Sequence, residues 1–395
     1  MSIQPTMSSQ LVVFGASGIS GLAVIQEAFA YPNPNTFTKI IGLTNRPLNT
    51  ADAQLPVDSR LAFYSGFDLT KGEAHIISKL QTIPSISETT HVAFLSYIPP
   101  TSNSYDPSVV AEVKRANVSI LQTAVIAIET LAPSLEHITI QTGGKAYGAE
   151  YLTTGAIPWS PPLKESAPRA PEPYASKIFN YAQIDAVAAL SVGKKWKWTD
   201  IRPDAVIGFV PNGNAMDLAG GLATWLSLYR WVHGEGAEVV FPGNEVVWGS
   251  MHTDTSQQIL GKTHLHALLS GKASGKAVNV GDGTTSWSES LWADICAWFG
   301  LKGVGPQEGV VTGEQWVFSQ KERWAEYEEA AGLKEKTVER AASGLWFMSV
   351  LLVSAAIDRQ YDLSLSGELG FPQSQDTAGG YRVAFERLRR GRFIQ

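Results

Sequence analysis

The stretch of sequence that decides the fold is Leu11-Val-Val-Phe-Gly15-Ala-Ser-Gly18-Ile-Ser-Gly21. An apolar run ends at Gly15, and apolar residues with a helical period follow from Ile19. Glycines at a strand-to-helix turn let the backbone bend sharply, approach a phosphate and pack the helix on the strand. The helix N-terminus adds unpaired N–H groups and partial positive charge. The position of the glycines between a strand and a helix predicts a dinucleotide-binding turn. Their spacing is Gly-x-x-Gly-x-x-Gly and not the commoner Gly-x-Gly-x-x-Gly, so a glycine turn that binds no ligand is the alternative.

The first half of the chain alternates apolar runs with segments of helical period. Strands are predicted at 10–15, 39–43, 61–65, 91–97, 137–142 and 198–202, helices at 109–131 and 175–191, and a proline-rich loop at 157–173. This alternation predicts βαβ units and a parallel sheet covered on both faces. We therefore predict a doubly wound α/β (Rossmann) fold, with a dinucleotide-binding core at 8–210. Residues 211–395 are expected to form a smaller, mostly helical substrate lobe with crossover segments returning to the core.

Composition excludes several classes of protein. The chain has 395 residues, a net charge of −6 and 44% hydrophobic residues, which suits a large core and argues against nucleic-acid binding. A single cysteine, Cys296, excludes a disulfide framework, and the scattered histidines predict no metal site. The polar N-terminus and the absence of a long apolar run predict a cytoplasmic protein without membrane contact. The basic residues at 387–392 are expected to form a solvated tail.

The end of the second predicted strand bears on the choice of cofactor. An acidic residue at this point usually binds the ribose 2′-hydroxyl of NAD. This chain has Asn45 and Arg46 instead, and a guanidinium suits a 2′-phosphate, so we predict NADPH. The alternative for Arg46 is a surface loop charge. Asp68 and Leu69 follow the third strand and would lie beside the adenine, unless Asp68 is an ordinary helix N-cap.

The catalytic pair of most short-chain reductases, Tyr-x-x-x-Lys on one helix, is missing. No tyrosine has a lysine four residues later, and Tyr174-Ala-Ser-Lys177 is one residue too short. Positions i and i+4 share a helix face, whereas i and i+3 point somewhat differently. The chain is therefore either an inactive relative or an enzyme with a rearranged acid, for which Tyr174 is one candidate. The missing pair also argues against a nucleotide-sugar epimerase.

The chain resembles the progesterone 5β-reductase and iridoid synthase-like group of atypical short-chain dehydrogenases. The segments that carry the resemblance are Gly15 to Gly21, Asn45-Arg46-Pro47, Thr90-His91-Val92, Gln141-Thr142-Gly143-Gly144-Lys145-Ala146-Tyr147, Phe179-Asn180-Tyr181-Ala182-Gln183, Arg202-Pro203, Gly208-Phe209 and Phe241-Pro242-Gly243. They run in order along most of the chain and thin toward the C-terminus. The Gln-Thr-Gly-x-Lys-x-Tyr stretch is the most specific of them.

The resemblance implies an enzyme that adds hydride from NADPH to the β-carbon of an enone or enal. It assigns the family's lysine to Lys145 and the family's helix tyrosine, which stabilises the enolate oxygen, to Tyr181. Conjugate reduction builds negative charge on that oxygen, so a fixed O–H donor lowers the barrier. A nearby ammonium depresses the pKa of the phenol and holds its orientation. The alternatives are a solvated loop lysine and a tyrosine buried for packing.

The chain departs from the family pattern at several positions. Asn180 replaces the first of two adjacent tyrosines, and Ile184 replaces an acidic residue, although Asp185 remains. The family's Thr-Trp after the fourth strand reads Ser96-Tyr97, which would reshape one pocket wall. These departures bear on the substrate more than on the cofactor.

The predicted site joins a cofactor cleft to an apolar pocket of the kind that binds a small hydrophobic substrate. The predicted cofactor contacts are Gly15, Ser17, Gly18, Ile19, Gly21, Asn45, Arg46, Asp68, Leu69, Ser96, Tyr97, Lys145 and Val206. The predicted pocket residues are Tyr97, Tyr147, Phe209, Trp346 and Phe347, each with ordinary core packing as its alternative.

The predicted activity is NADPH-dependent reduction of an activated C=C in a hydrophobic small molecule, with a role in secondary metabolism suggested by the resemblance alone. A ketoreductase would use the same residues and send hydride to the carbonyl carbon. A non-redox isomerase or cyclase and a non-catalytic NADP sensor are further alternatives, although retention of both Lys145 and Tyr181 argues against the sensor. A homodimer is an open option for assembly.

Overall fold

The sheet at the centre of the protein is described by a computed structural model that covers residues 9–100, 107–371 and 374–395. Its strands are β1 (Ser9–Phe14), β2 (Phe37–Leu43), β3 (Leu61–Tyr64), β4 (His91–Phe94), β5 (His137–Gln141), β6 (Lys197–Pro203), β7 (Val206–Ile207), β8 (Glu238–Val240), β9 (Met251–His252), β10 (Thr255–Ser256), β11 (Lys276–Val280), β12 (Thr285–Ser286) and β13 (Lys302–Val304). Seven of them form one parallel sheet in the order β11-β6-β5-β4-β1-β2-β3. The predicted doubly wound α/β fold is confirmed.

Helices cover both faces of this sheet and build the C-terminal region. They are α1 (Ile19–Ala28), α2 (Glu73–Gln81), α3 (Pro107–Leu131), α4 (Phe179–Leu190), α5 (Leu218–His233), α6 (Glu245–Gly249), α7 (Gln257–Ser270), α8 (Trp292–Trp298), α9 (Gly313–Ser319), α10 (Trp324–Ala330), α11 (Thr337–Ser349), α12 (Ser364–Glu368) and α13 (Thr377–Arg390). Within the described part of the chain, no helix combines the length and apolarity needed to cross a bilayer.

Strand β1 shows why the apolar runs do not alternate with polar residues. Leu11 and Val13 face a core built with α1 and α7. Val12 and Phe14 face the opposite core, built with α2, α3 and α4. Successive side chains of a strand point to opposite faces, so a strand with a core on each side needs apolar residues at every position.

The helical C-terminal region has its own aromatic core. Trp225 of α5 stacks on Trp292 of α8 with ring centroids 5.6 Å apart, and both rings are fully buried. Strand β11 joins the edge of the main sheet and helix α7 packs on one of its faces, so segments after residue 210 do contribute to the half of the molecule that contains the main sheet. The division of the chain at residue 210 stays a prediction.

The expectation of a solvated basic tail is wrong for Arg387, whereas Arg389, Arg390 and Arg392 are exposed. Helix α13 packs on the aromatic core of the C-terminal region, and Arg387 near its end is only 7% exposed. Its guanidinium donates to the Gln26 side-chain oxygen at 2.6 Å and to the Ala53 carbonyl at 2.9 Å. The charge is tolerated in the interior because acceptors from distant parts of the chain meet it there.

Two elements near the candidate site are shorter than predicted. Strand β4 ends at Phe94: the Leu95 N–H still donates to the Phe14 carbonyl of β1 at 2.9 Å, but the Ile98 N–H donates to the Asn117 side chain at 2.9 Å. Helix α4 begins at Phe179, since a 3₁₀ turn at Ala175–Lys177 is followed by an extended residue, Ile178. Both changes place Tyr97 and Phe179 at element ends, where their side chains meet.

Candidate active site

The glycine turn after β1 is held by close backbone contacts. The N–H groups of Gly15 and Ala16 both donate to the Leu43 carbonyl, at 3.2 and 3.1 Å. Gly15 has φ +80°, and a Cβ there would lie 2.6 Å from the Leu95 carbonyl group. A Cβ on Gly21 would lie 2.3 Å from the Gly15 oxygen. Two of the three glycines are therefore required for packing β1, β4 and α1 together.

The third glycine and the start of α1 fit a phosphate. Gly18 is the N-cap residue, its position carries no side-chain cap, and the first turn of α1 holds no acidic residue. The first N–H groups of a helix have no intrahelical acceptor, so they are available to an anion. A Cβ on Gly18 would meet only the Gly15 oxygen, at 3.4 Å, so the space above this residue is open. This cradle suits a pyrophosphate.

Ile19 and Val206 could contact a cofactor through the backbone only. The Ile19 side chain is buried against β6, β7 and α7, and its carbonyl accepts from Gln257 Nε2 at 2.7 Å. Val206 is buried in the same core. Ser17 is partly exposed at the turn itself.

The loop after β2 presents an unpaired guanidinium. The carbonyls of Thr44 and Asn45 accept from the N–H groups of Phe67 and Gly66, each at 3.0 Å, which ties the loop to the segment after β3. Asn45 and Arg46 are exposed, and within the described residues no hydrogen bond or ion pair engages the Arg46 side chain. A guanidinium that needs no release from a protein partner can bind a phosphate at little cost.

Asp68 is an N-cap, as the more ordinary interpretation of its position expects. Its carboxylate accepts from the Thr70 N–H at 3.1 Å and from the Thr70 hydroxyl at 2.6 Å, at the start of the 3₁₀ turn Leu69–Lys71. The hydroxyl hydrogen bond lowers the pKa of Asp68. Leu69 is buried beneath the turn. An adenine contact by these residues stays a prediction.

Tyr97, just beyond the end of β4, is held in place by two neighbours. Its ring stacks on Phe179 with centroids 5.7 Å apart and planes at 23°. The next residue, Ile98, is clamped by the fully buried Asn117, which accepts from its N–H and donates to its carbonyl, both at 2.9 Å. Tyr97 nevertheless remains 38% exposed, so a buried framework holds an accessible phenol.

Lys145 lies beside Tyr97 at the end of the adjacent strand β5. It belongs to the 3₁₀ turn Gly144–Tyr147, which follows Gly143 at φ +132°. Its ammonium lies 5.3 Å from the Phe179 ring centroid and 6.0 Å from that of Tyr97. It also forms an ion pair with Glu150 at 2.6 Å. The ends of β4 and β5 and the start of α4 thus bring an ammonium and a phenol together.

The electrostatics of this pair favour a neutral phenol. Burial raises the pKa of Tyr97, while the Lys145 ammonium, through its charge and a hydrogen bond, acts in the opposite direction. Because the net shift is upward from an ordinary value near 10, the hydroxyl keeps its proton at neutral pH. A neutral phenol next to a cation is a hydrogen-bond donor suited to an anionic oxygen.

The sequence-predicted tyrosine of α4, Tyr181, is in a different environment. It is only 4% exposed. Its hydroxyl donates to the Ala146 carbonyl and accepts from the Ala170 N–H, both at 2.9 Å. The Arg169 guanidinium lies 4.8 Å from its ring centroid. Tyr181 therefore links the turn that carries Lys145 to the proline-rich loop, and its only hydroxyl hydrogen is already in use.

Tyr174, the alternative acid, packs in the same buried cluster. Its ring lies 5.1 Å from that of Tyr151, and the Lys177 ammonium is 5.7 Å from its centroid. The i, i+3 pair of the sequence thus forms a cation–π contact on a 3₁₀ turn. Asn180, which replaces a family tyrosine, is buried, and its side-chain oxygen has no hydrogen-bond partner among the described residues.

Two of the predicted pocket residues are core residues, which corrects the prediction. Tyr147 is buried, and its hydroxyl donates to the Asn279 side-chain oxygen at 2.5 Å. Phe209 is fully buried, 6.1 Å from Phe393 and under the Arg387 guanidinium at 4.8 Å. Both rings pack in the interior of the protein and have almost no exposed surface that a substrate could contact.

The other predicted pocket aromatics lie on α11. Trp346 is 43% exposed, and Phe347 is partly buried against the aromatic core of the C-terminal region. Neither ring contacts Tyr97 or Lys145 among the aromatic and cation–π contacts of the described residues. Their contribution to a pocket stays a prediction.

A buried ion pair beneath the Lys145 turn was not anticipated from the sequence. Arg202 donates to the fully buried Asp200 at 2.8 Å, and the Thr142 hydroxyl donates to the same carboxylate at 2.7 Å. The Arg202 guanidinium also lies 5.2 Å from the Tyr147 ring. The only sequence signal was Arg202-Pro203, which belongs to the family resemblance and carries no chemical pattern of its own.

Replacing Arg202 with methionine is expected to lower the free energy of unfolding by about 3–5 kcal/mol, because Asp200 would remain buried without a countercharge. Urea denaturation measures this change. The matched control is Arg382→Met, which removes the exposed ion pair with Asp376 and should cost about 0–1 kcal/mol. Equal effects of the two substitutions would contradict a structural role for the buried pair.

The parallel sheet, the glycine turn after β1 and the Lys145–Tyr97 pair at the sheet's carboxyl edge define a Rossmann-type α/β protein. The match to a family model then places the protein more closely. Residues 11–395 match the PRISE-like Rossmann-fold domain, and the chain belongs to that family. The resemblance seen in the sequence is confirmed.

Relatives and solved structures agree with this assignment. The chain is 34% identical to the short chain dehydrogenase sirQ of Leptosphaeria maculans, over 97% of this chain and 96% of the relative. It is 27% identical to the 3-oxo-Delta(4,5)-steroid 5-beta-reductase of Arabidopsis thaliana, over 95% and 91%. A UDP-glucose 4-epimerase structure from Thermotoga maritima shares the fold, with a TM-score of 0.60, 14% identity and coverage of 96% and 99%. The chain is an oxidoreductase of the short-chain dehydrogenase/reductase type.

Proposed function

We propose that the protein reduces the activated C=C of a hydrophobic enone or enal with NADPH. The observation that carries the proposal is the position of the Lys145 ammonium beside the stacked rings of Tyr97 and Phe179. This cluster lies at the carboxyl ends of β4 and β5, and β4 is the sheet neighbour of β1, which leads into the glycine turn. In open α/β sheets, ligands bind at this edge.

The cofactor half of the proposal rests on the open cradle above Gly18 and on Arg46. The N–H groups at the start of α1 would hold the pyrophosphate, and the exposed Arg46 guanidinium would hold a 2′-phosphate. When bound, the reduced nicotinamide supplies a hydride. No carboxylate follows β2 to favour a free 2′-hydroxyl.

The residues beyond β4 and β5 would lower the barrier by electrostatic stabilisation. As the β-carbon of an enone gains a hydride, negative charge moves to the carbonyl oxygen. The Lys145 ammonium and a tyrosine hydroxyl would stabilise that charge. Tyr97 and Tyr181 both lie near Lys145, the first through its ring and the second through the neighbouring Ala146 carbonyl.

The substrate class follows from the surroundings of the ammonium and from a relative. Phe179 and Tyr97 form an aromatic wall beside Lys145, which suits an apolar molecule with one carbonyl group. The relative from Arabidopsis thaliana is named as a steroid reductase, and a steroid is such a molecule. A role in secondary metabolism is the corresponding biological expectation.

Isotope transfer tests the reaction directly. Purified protein would be mixed with NADPH deuterated at the transferable position and with 2-cyclohexen-1-one, trans-2-octenal and 4-phenyl-3-buten-2-one. Deuterium at the β-carbon of a product supports the proposal. Deuterium at the carbonyl carbon would make the protein a ketoreductase. Binding of NADPH without its consumption by any substrate would contradict the proposal and favour a cyclase, an isomerase or a sensor.

Replacing Arg46 with alanine is expected to weaken NADPH binding by about 10- to 100-fold, because one charge-assisted contact to the 2′-phosphate is lost. NADH binding should stay unchanged, since NADH has no phosphate at that position. Fluorescence titration of the two cofactors measures both affinities. The control Arg60→Ala removes an arginine that is paired with Asp58, and it should affect both cofactors alike. Equal losses for NADPH and NADH in Arg46→Ala would contradict the assignment.

A further inference from the structure

We propose that Tyr97 donates the hydrogen bond to the substrate oxygen, and that Tyr181 is a positioning residue that holds the Lys145 turn. The inference rests on the proposed function, because it names the hydroxyl that this function requires. It departs from the role that the resemblance assigns to Tyr181. The difference arises from Ser96-Tyr97, one of the positions where this chain departs from the family pattern.

Accessibility distinguishes the two tyrosines. Tyr97 is 38% exposed, whereas Tyr181 is 4% exposed. Tyr181 spends its hydroxyl hydrogen on the Ala146 carbonyl and one lone pair on the Ala170 N–H. For Tyr181 to reach a substrate, both bonds would have to break, and the Ala146 carbonyl would lose its donor. Tyr97 needs no such rearrangement, because the Lys145 ammonium can only donate to its hydroxyl, and this bond does not use the hydroxyl hydrogen.

The position of Tyr97 is determined by rigid elements. Asn117 of α3 is fully buried and binds both backbone groups of Ile98, and Gln183 of α4 donates to the Asn117 carbonyl at 3.0 Å. The Phe179 ring, at the first residue of α4, supports the Tyr97 ring from one side. A donor held in this way needs little reorganisation when charge develops, which is the condition for strong electrostatic stabilisation.

Lys145 and Glu150 complete the arrangement. The ion pair between them fixes the ammonium on the same turn that Tyr181 secures through Ala146. Tyr97 and Lys145 come from neighbouring strands, β4 and β5, so a carbonyl oxygen between them could accept from both. Tyr181 contributes from behind this pair, and its loss should change the position of Lys145 and not the number of donors to the oxygen.

The step is balanced without a further reactant beyond NADPH and water. The hydride brings two electrons and forms a C–H bond at the β-carbon, while the alkene electrons move to make an enolate. Tyr97 and Lys145 stabilise the enolate oxygen by hydrogen bonding, and Tyr97 keeps its own proton. A proton from water then adds to the α-carbon, which restores the carbonyl group. The alkene is reduced and NADPH is oxidised.

The first readout is independent of turnover. A 5-phenyl-1,3-cyclohexanedione is an enolate at neutral pH and imitates the charged oxygen. Calorimetric titration of the protein, with and without NADP⁺, should show about 10- to 100-fold weaker binding of this probe in Tyr97→Phe. The phenylalanine keeps the ring stacked on Phe179, so folding should be preserved. Tyr181→Phe should weaken binding of the probe less than Tyr97→Phe does, because it shifts Lys145 without removing a donor, and it should lower the Tm. The control Tyr229→Phe, far along the chain in α5, should leave probe binding unchanged.

The second readout is kcat for the enone panel. Tyr97→Phe should lower kcat by about 10²-fold or more, and Tyr181→Phe should lower it less. Unchanged probe binding in Tyr97→Phe, together with loss of probe binding in Tyr181→Phe, would overturn the assignment and leave the proposed function intact. If the wild-type protein consumes no NADPH with any substrate, the proposed function fails. Weaker probe binding in Tyr97→Phe would even then support Tyr97 as the donor to an anionic oxygen.

Discussion

Replacing Lys145 with methionine is expected to lower kcat for enone reduction by about 10²–10³-fold. The ammonium is the single positive charge that contacts both the Tyr97 and Phe179 rings in the described part of the chain. Methionine keeps the apolar stem of the side chain and removes the charge. The enolate oxygen would then lose its cation and the Tyr97 hydroxyl would lose its partner. Steady-state kinetics with saturating NADPH measure the change.

A matched control separates this charge effect from a general loss of positive charge. Lys177→Met removes the ammonium that lies 5.7 Å from the Tyr174 ring on the 3₁₀ turn before α4. We expect less than a twofold change in kcat, because among the described residues the cation–π contact of this lysine is with Tyr174 and not with Tyr97 or Phe179. Lys177→Met should leave NADPH affinity and Tm nearly unchanged. Because Lys145 is also a predicted cofactor contact, kcat of the two variants is compared at saturating NADPH. Similar kcat values for Lys145→Met and the wild type would contradict any role for the ammonium in the reaction.

Replacing Gly15 with alanine is expected to lower the free energy of unfolding by about 2–6 kcal/mol and to abolish NADPH binding. One part of the cost is the positive φ of +80°, which a residue with a side chain rarely adopts. The other part is the clash of the new Cβ with the Leu95 carbonyl group, at 2.6 Å. Relief of this clash requires β1 and β4 to move apart, and that movement would open the turn that holds the phosphate.

Gly72 provides the matched control for this prediction. It has a φ of +83°, and a Cβ there would meet nothing within 4 Å. Gly72→Ala should therefore show the backbone strain alone, about 1–3 kcal/mol, with full NADPH binding. Urea denaturation and fluorescence titration measure the two effects. If the two alanine variants were equally stable and bound NADPH equally well, the close packing of β1 on β4 could not be what requires glycine at position 15.

The sequence predicted the strands and turns of the sheet half because each of them depends on residues that are close together in the sequence. The run from Leu11 to Phe14 is apolar at every position, and that pattern requires a core on both faces of the strand. The turn at Gly15 was similarly evident, since the conformation and the spacing of its glycines are local properties. The burial of Arg387 was not evident, because its acceptors Gln26 and Ala53 lie more than 300 residues away in the sequence. Strand β11 was not evident either, because it pairs with β6, from which helices α5 to α7 separate it in the chain.

The candidate site shows the same division. Lys145 was identified from a sequence motif, and the structure places it at the end of β5. The motif could not show that Tyr181 spends its hydroxyl on Ala146 and Ala170, since this depends on where the loop at 157–173 packs. The meeting of Tyr97 and Phe179 likewise depends on where β4 ends and where α4 begins.

The sequence by itself therefore determined the parallel α/β fold, the glycine turn after β1 and the family of this protein. Each of these depends on apolar period, glycine spacing or a short motif, which are properties of neighbouring residues. Only the tertiary structure decided which side chains are accessible and which phenol stands beside the ammonium. Those features depend on contacts between segments that are far apart in the chain. The Tyr181 hydroxyl, for example, is buried by its hydrogen bonds to the Ala146 carbonyl and the Ala170 N–H.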